Sequence, residues 1–154
     1  PPEEDGLVEI DRTGWRARAT SPGADLALDG DSRTAWVPGV DQRRGQFFQL
    51  GLPLPAEVVR VSLNVRCFLH QGEEFPTHLE ILARAGEGEW RRVPFDPEAA
   101  YDRFFARLLK TPRTATLDLD IPPTTLTGLR LRVTENDAFA MPWTLTEIRL
   151  YRRS

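Results

Sequence analysis

The segment with the clearest chemical potential is an acidic turn near the start of the chain, Asp29-Gly30-Asp31-Ser32-Arg33-Thr34. Ca²⁺ takes about six to eight hard oxygen ligands, and a tight loop can supply carboxylate, hydroxyl and carbonyl oxygens together. The spacing is not that of an EF-hand, which would need glycine and glutamate where Thr34 and Val40 stand. Because Asp-Gly-Asp is also a common turn sequence, the pattern alone leaves a cation site and a plain turn both open.

Few other residues have the types and spacing that catalysis needs. The chain has no Gly-x-Ser-x-Gly elbow and no glycine-rich phosphate loop. Cys67 and His70 are three residues apart, and at a strand end that spacing directs their side chains to opposite faces, which disfavours a nucleophilic pair. Carboxylates are plentiful, but no two of them stand out as a glycosidase pair. We therefore expect a domain without catalytic activity of its own.

Length and charge narrow the class of protein further. A chain of 154 residues is long enough for one domain with its own core. The formal net charge of −3 lacks the basic excess of a dedicated nucleic-acid binder, so we expect no nucleic-acid partner. No apolar run approaches the ~20 residues of a membrane span. We expect residues 1–13 to form a linker or boundary segment, and residues 14–154 to form the domain.

Alternation with a period of two predicts strands, because it gives a strand one buried face. In Val58–Arg66 the odd positions carry the apolar side chains, namely Val59, Val61, Leu63 and Val65. Further alternating or short apolar segments predict strands at His78–Arg84, Thr116–Ile121, Gly128–Thr134, Leu145–Tyr151, Trp15–Thr20, Gln46–Leu50 and Trp90–Val93. Eight short strands with turn-rich connections are typical of an all-β antiparallel sandwich or jelly roll.

One segment has the period of a helix instead. Asp96 is suited to cap a helix that begins at Pro97, and apolar residues follow at helical spacing up to Leu109. Pro112 stops the helix. We predict one amphipathic helix, Pro97–Leu109, inserted between strands. It either covers an open end of the sandwich or docks on a neighbouring domain.

Four segments, in order, resemble the discoidin-like domain, also called the coagulation-factor type C domain. The first is the Trp15–Ser21 strand; the second is Ala27–Trp36, close to the family's A-x-D-G-x-x-x-T-x-W. The third is Gly45–Gly51, where Gln49 replaces a usual aspartate, and the fourth is Pro142–Tyr151, like the family's final W-x-x-x-E-(I/L)-x-(V/L)-(Y/F). The resemblance extends to family-32 carbohydrate-binding modules and to the galactose-binding-like domain of galactose oxidase.

The resemblance implies an eight-stranded antiparallel jelly-roll β-sandwich and a structural cation, Ca²⁺ or alternatively Na⁺. Carried over by position, the cation ligands are Leu26, Asp29, Asp31, Thr34, Thr146 and Glu147. The alternatives are that Glu147 faces solvent, or that Asp29 closes the turn without metal. Trp36 and Trp143 are expected to pack in the core or against this turn.

The resemblance also implies a glycan site on loops at one end of the sandwich. Residue type and approximate position indicate Arg66, Phe68, His70, Asn136 and Phe139. An aromatic ring suits the apolar face of a sugar, and planar polar groups suit its hydroxyls. Each has a plainer alternative: Arg66 pairs with a carboxylate such as Glu73, His70 is a solvated loop residue, and the two rings are plugs or spikes facing protein or membrane.

Together these observations predict a non-catalytic carbohydrate-binding module, accessory to a larger carbohydrate-active protein outside the cytoplasm. The source is expected to be bacterial, because arginine far outnumbers lysine. The alternative is a structural appendage that docks on a neighbouring domain and binds no free sugar. Direct membrane binding is disfavoured, because Glu73, Glu74 and Asp137 would oppose anionic lipid.

Overall fold

The chain folds as an antiparallel β-sandwich with one α-helix, in a computed structural model that describes residues 3–4, 6–68, 72–110, 115–140 and 142–154. The helix α1 is Pro97–Lys110, and a short 3₁₀ helix covers Ala24–Ala27. The strands are β1 Glu3–Glu4, β2 Leu7–Glu9, β3 Arg16–Ala19, β4 Phe47–Val65, β5 Cys67–Phe68, β6 Gly72–Glu73, β7 Leu79–Arg84, β8 Arg91–Val93, β9 Ala115–Val133 and β10 Glu147–Arg153. The predicted fold class is confirmed.

Two long strands, β4 and β9, pair along their length and contribute to both layers of the sandwich. The first half of β4 lies between β3 and the second half of β9, which continues to β7 and β8. The second half of β4 lies between the first half of β9 and β10, which continues to β2 and β1. Buried side chains of both layers form one core.

The two layers part where prolines interrupt the long strands. The pairing shifts register between Gly51 and Ala56, a stretch of β4 that contains Pro53 and Pro55. A second register shift falls between Val58 and Arg60, opposite Pro122-Pro123 of β9. Proline cannot donate to a ladder, so prolines coincide with each of the two shifts. The second shift moves Val58 into the core cluster in place of Val59, which corrects the strict alternation that the sequence predicted.

The segment expected to be a linker contributes strands to the second layer. Strand β2 pairs with β10, with Val8 opposite Arg152 and Glu9 opposite Tyr151. Leu7 is buried there. The pairing covers the edge that β10 would otherwise expose.

Helix α1 covers the opposite edge of the same layer, next to β9. The Asp96 carboxylate accepts the Ala99 N–H at 3.1 Å and caps the helix as predicted. Phe104 is buried in the core and its ring lies 5.1 Å from that of Phe75. The helix therefore covers the sandwich, the first of the two roles considered, while Leu109 on its outer side is 88% exposed.

Three connections meet at one end of the sandwich, and we call them the rim loops: residues 20–46, 66–78 and 134–146. In the first layer, the end of β3, the start of β4, the end of β9 and the start of β7 lie side by side. In the second layer, the end of β4 pairs with the starts of β9 and β10. Since loops 66–78 and 134–146 each connect these ends, the candidate site residues that the structure describes lie on one end of the molecule.

Candidate functional site

The acidic turn gathers several oxygen atoms at one point. The Asp31 N–H donates to Asp29 Oδ1 at 2.9 Å. The Thr34 hydroxyl contacts Asp29 Oδ2 and lies 3.0 Å from the Asp31 carbonyl oxygen. One hydroxyl hydrogen serves only one of these two acceptors. Hydrogen bonds from the Arg33 side chain and backbone lower the pKa of Asp31, which keeps this carboxylate charged.

The turn is held against the start of β10. The backbones of Trp36 and Leu145 exchange two hydrogen bonds, of 2.8 and 3.1 Å. The 3₁₀ helix that contains Leu26 packs beside β10. Thr146 and Glu147, the last two predicted cation ligands, directly follow Leu145. The fold thus brings the segments of all six predicted ligands to one corner of the rim.

Glu147 is only half satisfied in this corner. It is 3% exposed, and one carboxylate oxygen, Oε2, accepts a hydrogen bond from the Arg12 guanidinium. The other oxygen, Oε1, is buried and has no hydrogen-bond partner among the described residues. A buried, unpaired carboxylate oxygen is costly unless a cation or a donor meets it. The alternative in which Glu147 faces solvent is therefore wrong.

This donor set fits a hard cation. Within the described ranges, no three His, Cys, Asp and Glu side chains cluster as a metal site would require. A cation here would thus depend on two carboxylates, Asp29 and Glu147, together with hydroxyl and carbonyl oxygens, which is the chemistry Ca²⁺ prefers. Arg12, which the sequence did not indicate, already supplies one positive charge to Glu147.

A buried glutamine joins the three rim loops. Gln42 is fully buried; its Nε2 donates to the Phe75 carbonyl at 2.8 Å, and its Oε1 accepts the Thr77 N–H at 3.0 Å. Its backbone carbonyl accepts the Asp137 N–H at 2.8 Å. Gln42 therefore fixes the loops relative to one another. No sequence signal marked it, because a single glutamine in a polar loop has no characteristic spacing.

Asp137 shapes the turn that presents Phe139. Its Oδ2 accepts the Thr77 hydroxyl at 2.9 Å, and its Oδ1 accepts the N–H groups of Phe139 and Ala140 at 3.2 and 3.1 Å. The Thr77 hydroxyl and these two N–H groups hold the pKa of Asp137 below its usual value. The Phe139 side chain, in contrast, is fully exposed. The hydrogen bonds of Asp137 therefore fix the backbone of a turn whose aromatic side chain is exposed to solvent.

Two further predicted sugar residues are held by neighbours. The Arg66 Nε donates to Glu74 Oε1 at 2.6 Å, so Arg66 does pair with a local carboxylate; the side chain of Glu73, the partner named as an example, lies outside the described residues. Asn136 Oδ1 accepts the Arg44 N–H at 2.9 Å on the exposed surface.

The last two predicted sugar residues are Phe68 and His70. The backbone of Phe68 lies in β5, but its side chain and all of His70 fall outside the described residues.

The rim also holds a histidine that sequence reasoning did not single out. His78 Nε2 lies 3.4 Å from Glu135 Oε2, and its Nδ1 lies 3.8 Å from Asp137 Oδ2. The Thr77 hydroxyl is 3.2 Å from the same Nδ1. The sequence predicts His78 at the start of a strand, where a histidine carries no special signal, and its carboxylate neighbours come from a loop distant in sequence.

No protein-family model and no curated protein sequence matches this chain. Among solved structures, the chain is similar to the family 32 carbohydrate-binding module of Clostridium perfringens NanJ in complex with galactose, with 17% identity over 95% of this chain and 99% of that chain and a TM-score of 0.65. A Bacteroides fragilis F5/8 type C domain gives 20% identity, 98% and 99% coverage and a TM-score of 0.65. The chain has the discoidin-like fold.

A third similar structure shows this fold as part of a longer chain. Truncated AlyQ, with family 32 carbohydrate-binding and alginate lyase domains, shares 14% identity; the match covers 96% of this chain but 34% of that chain, with a TM-score of 0.63. No helix among the described residues is long and apolar enough to cross a membrane.

Proposed function

We propose that this domain is a non-catalytic carbohydrate-binding module that binds a glycan on its rim loops. The observation that carries the proposal is Phe139, a fully exposed ring on a turn that Asp137 and Thr77 hold in place. Sites for small ligands combine apolar or aromatic side chains with a few placed polar groups, and this turn presents a ring on a polar loop. In this proposal, Phe139 contacts the apolar face of a sugar ring.

Polar groups on the same rim loops would select the sugar. Glu74 orients the Arg66 guanidinium, and the Arg44 N–H orients the Asn136 amide, so both groups are preorganised as hydrogen-bonding partners. Phe68 and His70 stay predicted members of the site. The NanJ module was solved with galactose, which supports a glycan as the ligand class.

The role we propose is accessory, in a larger bacterial carbohydrate-active protein outside the cytoplasm. The support is that AlyQ joins a similar domain to an alginate lyase domain in one chain. A second candidate function, docking on a neighbouring domain, is favoured by α1, whose Phe105 and Leu109 are 45% and 88% exposed. Failure to bind any sugar would favour the second function.

Replacing Phe139 by alanine is expected to raise the dissociation constant for the bound glycan by about tenfold or more, because the change removes the central apolar contact. Calorimetric titration with galactose, N-acetylglucosamine and uronate oligomers measures it. The matched control is Leu54→Ala, an exposed apolar residue where the layers part, far from the rim. Unchanged affinity in Phe139→Ala would contradict a site on this loop, and no binding across the panel would contradict the glycan proposal.

We also propose that Ca²⁺ binds at the corner formed by the acidic turn and Glu147, with Na⁺ as the alternative ion. The proposal is supported by Glu147 Oε1, which has no hydrogen-bond partner within the described part of the chain, and by the oxygens around Thr34. A cation at 100 times its dissociation constant adds about 2.7 kcal/mol to the free energy of unfolding. For a domain of this size that raises the melting temperature by about 5–10 °C.

Thermal melting after verified chelation, with and without added Ca²⁺, tests the site. Asp29→Asn should lose the response to Ca²⁺, whereas Asp25→Asn, an exposed carboxylate in the neighbouring 3₁₀ helix, should keep it. A melting temperature that ignores chelation and Ca²⁺ in the parent protein would rule out a stabilising cation.

A further inference from the structure

The outer face of the first layer carries a row of arginine and aromatic side chains, which we call the arginine–aromatic face: Arg18, Phe47, Arg130, Trp90 and Arg84. The Arg130 guanidinium lies between the two rings, 5.2 Å from the Phe47 centroid and 4.3 Å from the Trp90 centroid. At the ends of the row, Arg18 lies 5.8 Å from Phe47, and Arg84 lies 4.7 Å from Trp90. Cations and rings therefore alternate across strands β3, β4, β9 and β7.

Two neighbouring residues, Gln49 and Gly128, help to position this row. Arg130 pairs in register with Gln49, whose side-chain Oε1 accepts the Arg130 Nε–H at 2.8 Å. Gly128, two residues earlier on β9, leaves space for the indole: a Cβ there would lie 3.0 Å from Trp90 Cη2. The indole thus lies directly over bare backbone, with Arg84 and Arg130 against its ring.

The arginines of this row have no carboxylate partner in the part of the chain that the structure describes. Among the described residues, Arg18, Arg84 and Arg130 form no ion pair, while Arg132 at the margin is paired with Glu80. Burial and the charges of the neighbouring arginines lower the pKa of Arg130, which records their mutual repulsion. Sheets usually place opposite charges on facing positions of neighbouring strands. In a chain whose net charge is −3, a concentration of unpaired cations on one face needs an explanation.

We propose that the arginine–aromatic face binds an acidic polysaccharide, through guanidinium contacts with its carboxylate or sulfate groups. Guanidinium groups held beside rings are restricted in position, and their planar fork suits bidentate contacts with such anions. This surface lies on the outer face of the first layer and adjoins rim loop 20–46 only at Arg18 and Phe47, and the inference holds whether or not the rim binds a sugar.

The geometry favours an acidic polysaccharide over a neutral sugar or a nucleic acid as the ligand of the arginine–aromatic face. Arginine guanidinium groups lie over Phe47 and Trp90, so a neutral sugar or a nucleobase would have to compete with them for the faces of these rings. Single-stranded nucleic acid binds largely by stacking on open aromatic rings within a basic groove. We therefore expect the arginines to contact the carboxylate or sulfate groups of the ligand rather than the faces of its sugar rings.

Calorimetric titration of the whole domain with a galacturonate hexamer, and separately with a sulfated hexasaccharide, tests the proposal. Replacing Arg18 and Arg84 together by glutamine is expected to raise the dissociation constant about tenfold. The charge-matched control, Arg152→Gln with Arg153→Gln on β10, is expected to change it less than about twofold. Higher salt should weaken binding to the parent protein, because it screens exposed charges.

Several outcomes would overturn the proposal. They are no binding of either hexasaccharide, an equal loss in the control pair, or equal binding of oligothymidylate of matched charge. If Phe139→Ala removes hexamer binding while the Arg18/Arg84 variant keeps it, the acidic ligand binds on the rim, and only the rim proposal survives. A variant with Arg18→Lys and Arg84→Lys keeps the charge and the fold; loss of affinity in it as well supports bidentate contacts.

Discussion

Replacing Trp143 by alanine is expected to lower the free energy of unfolding by about 3–5 kcal/mol. Trp143 is fully buried beneath the rim, where its ring meets Trp36 edge-on at 4.7 Å. Trp36 in turn meets Phe48 at 5.5 Å, so the aromatic cluster joins loops 20–46 and 134–146 to the first layer. The substitution leaves a large cavity where both candidate sites are anchored, and we expect ligand and Ca²⁺ responses to be lost with it.

A more conservative substitution separates the stability that comes from packing of the ring from the stability that comes from the indole hydrogen bond. Trp143→Phe keeps a ring in the cavity but removes the indole N–H that donates to Gln46 Oε1 at 3.1 Å. An unsatisfied buried acceptor costs about 1–3 kcal/mol, so this variant should lie between the parent protein and Trp143→Ala. Denaturant unfolding measures all three proteins, with Leu54→Ala as the surface control. Near-parental stability of Trp143→Ala would show that the rim does not depend on this cluster.

Much of the fold was predictable because burial on one face leaves a period of two in the sequence. That signal located the strands that contain Leu63, Ile81 and Leu131, and the capping pair Asp96-Pro97 located the helix. The signal does not report where pairing changes partner. For this reason, segments predicted as separate strands are continuous in β4 and β9, and the irregularity near Val59 was not anticipated. The N-terminal strand Leu7–Glu9 is too short to show periodicity, and only its pairing with β10 defines it.

The candidate site was predictable only where its residues adjoin in sequence. The acidic turn around Asp29 has a recognisable spacing, and Phe139 stands out as a ring among small and polar residues. Arg12, Gln42 and His78 gain their roles from partners brought near by strand register and loop crossing. Arg12 and Glu147, for example, meet across 135 positions of sequence. The sequence does not give the strand register, so no local pattern shows that two residues this far apart in the chain will meet.

The ion pairs that hold helix α1 against β9 were unpredictable for the same reason, because their partners are distant in sequence. The sequence showed the helix's apolar stripe, but it gave no sign that Arg103 and Arg107 reach Asp118 on β9. Asp118 is buried and contacts the Ser62 hydroxyl, and Arg107 Nη1 lies 2.7 Å from its Oδ2. Arg60, also buried, lies 3.8 Å from the same oxygen. One carboxylate thus joins the helix to two strands.

Asp118→Ala is therefore expected to lower the free energy of unfolding by about 3 kcal/mol or more, because removing one partner of a buried ion pair leaves the other charge uncompensated. Asp120 does not compensate fully, since it is half exposed and already accepts a hydrogen bond from Arg60 at 2.6 Å. Burial raises the pKa of Asp120, but Arg60 and Arg103 outweigh that effect and lower it. Asp120 is therefore already charged and engaged before Asp118 is removed.

Denaturant unfolding and the helical circular-dichroism signal test the role of Asp118. Asp102→Ala, an exposed carboxylate on the same helix, should change stability by less than about 0.5 kcal/mol. Asp118→Asn keeps the shape and the Ser62 contact but loses the charge, so its cost isolates the electrostatic share. If Asp118→Ala matched Asp102→Ala, apolar packing around Phe104 would hold the helix by itself. The arginines of α1 would then be surface residues that happen to lie near β9.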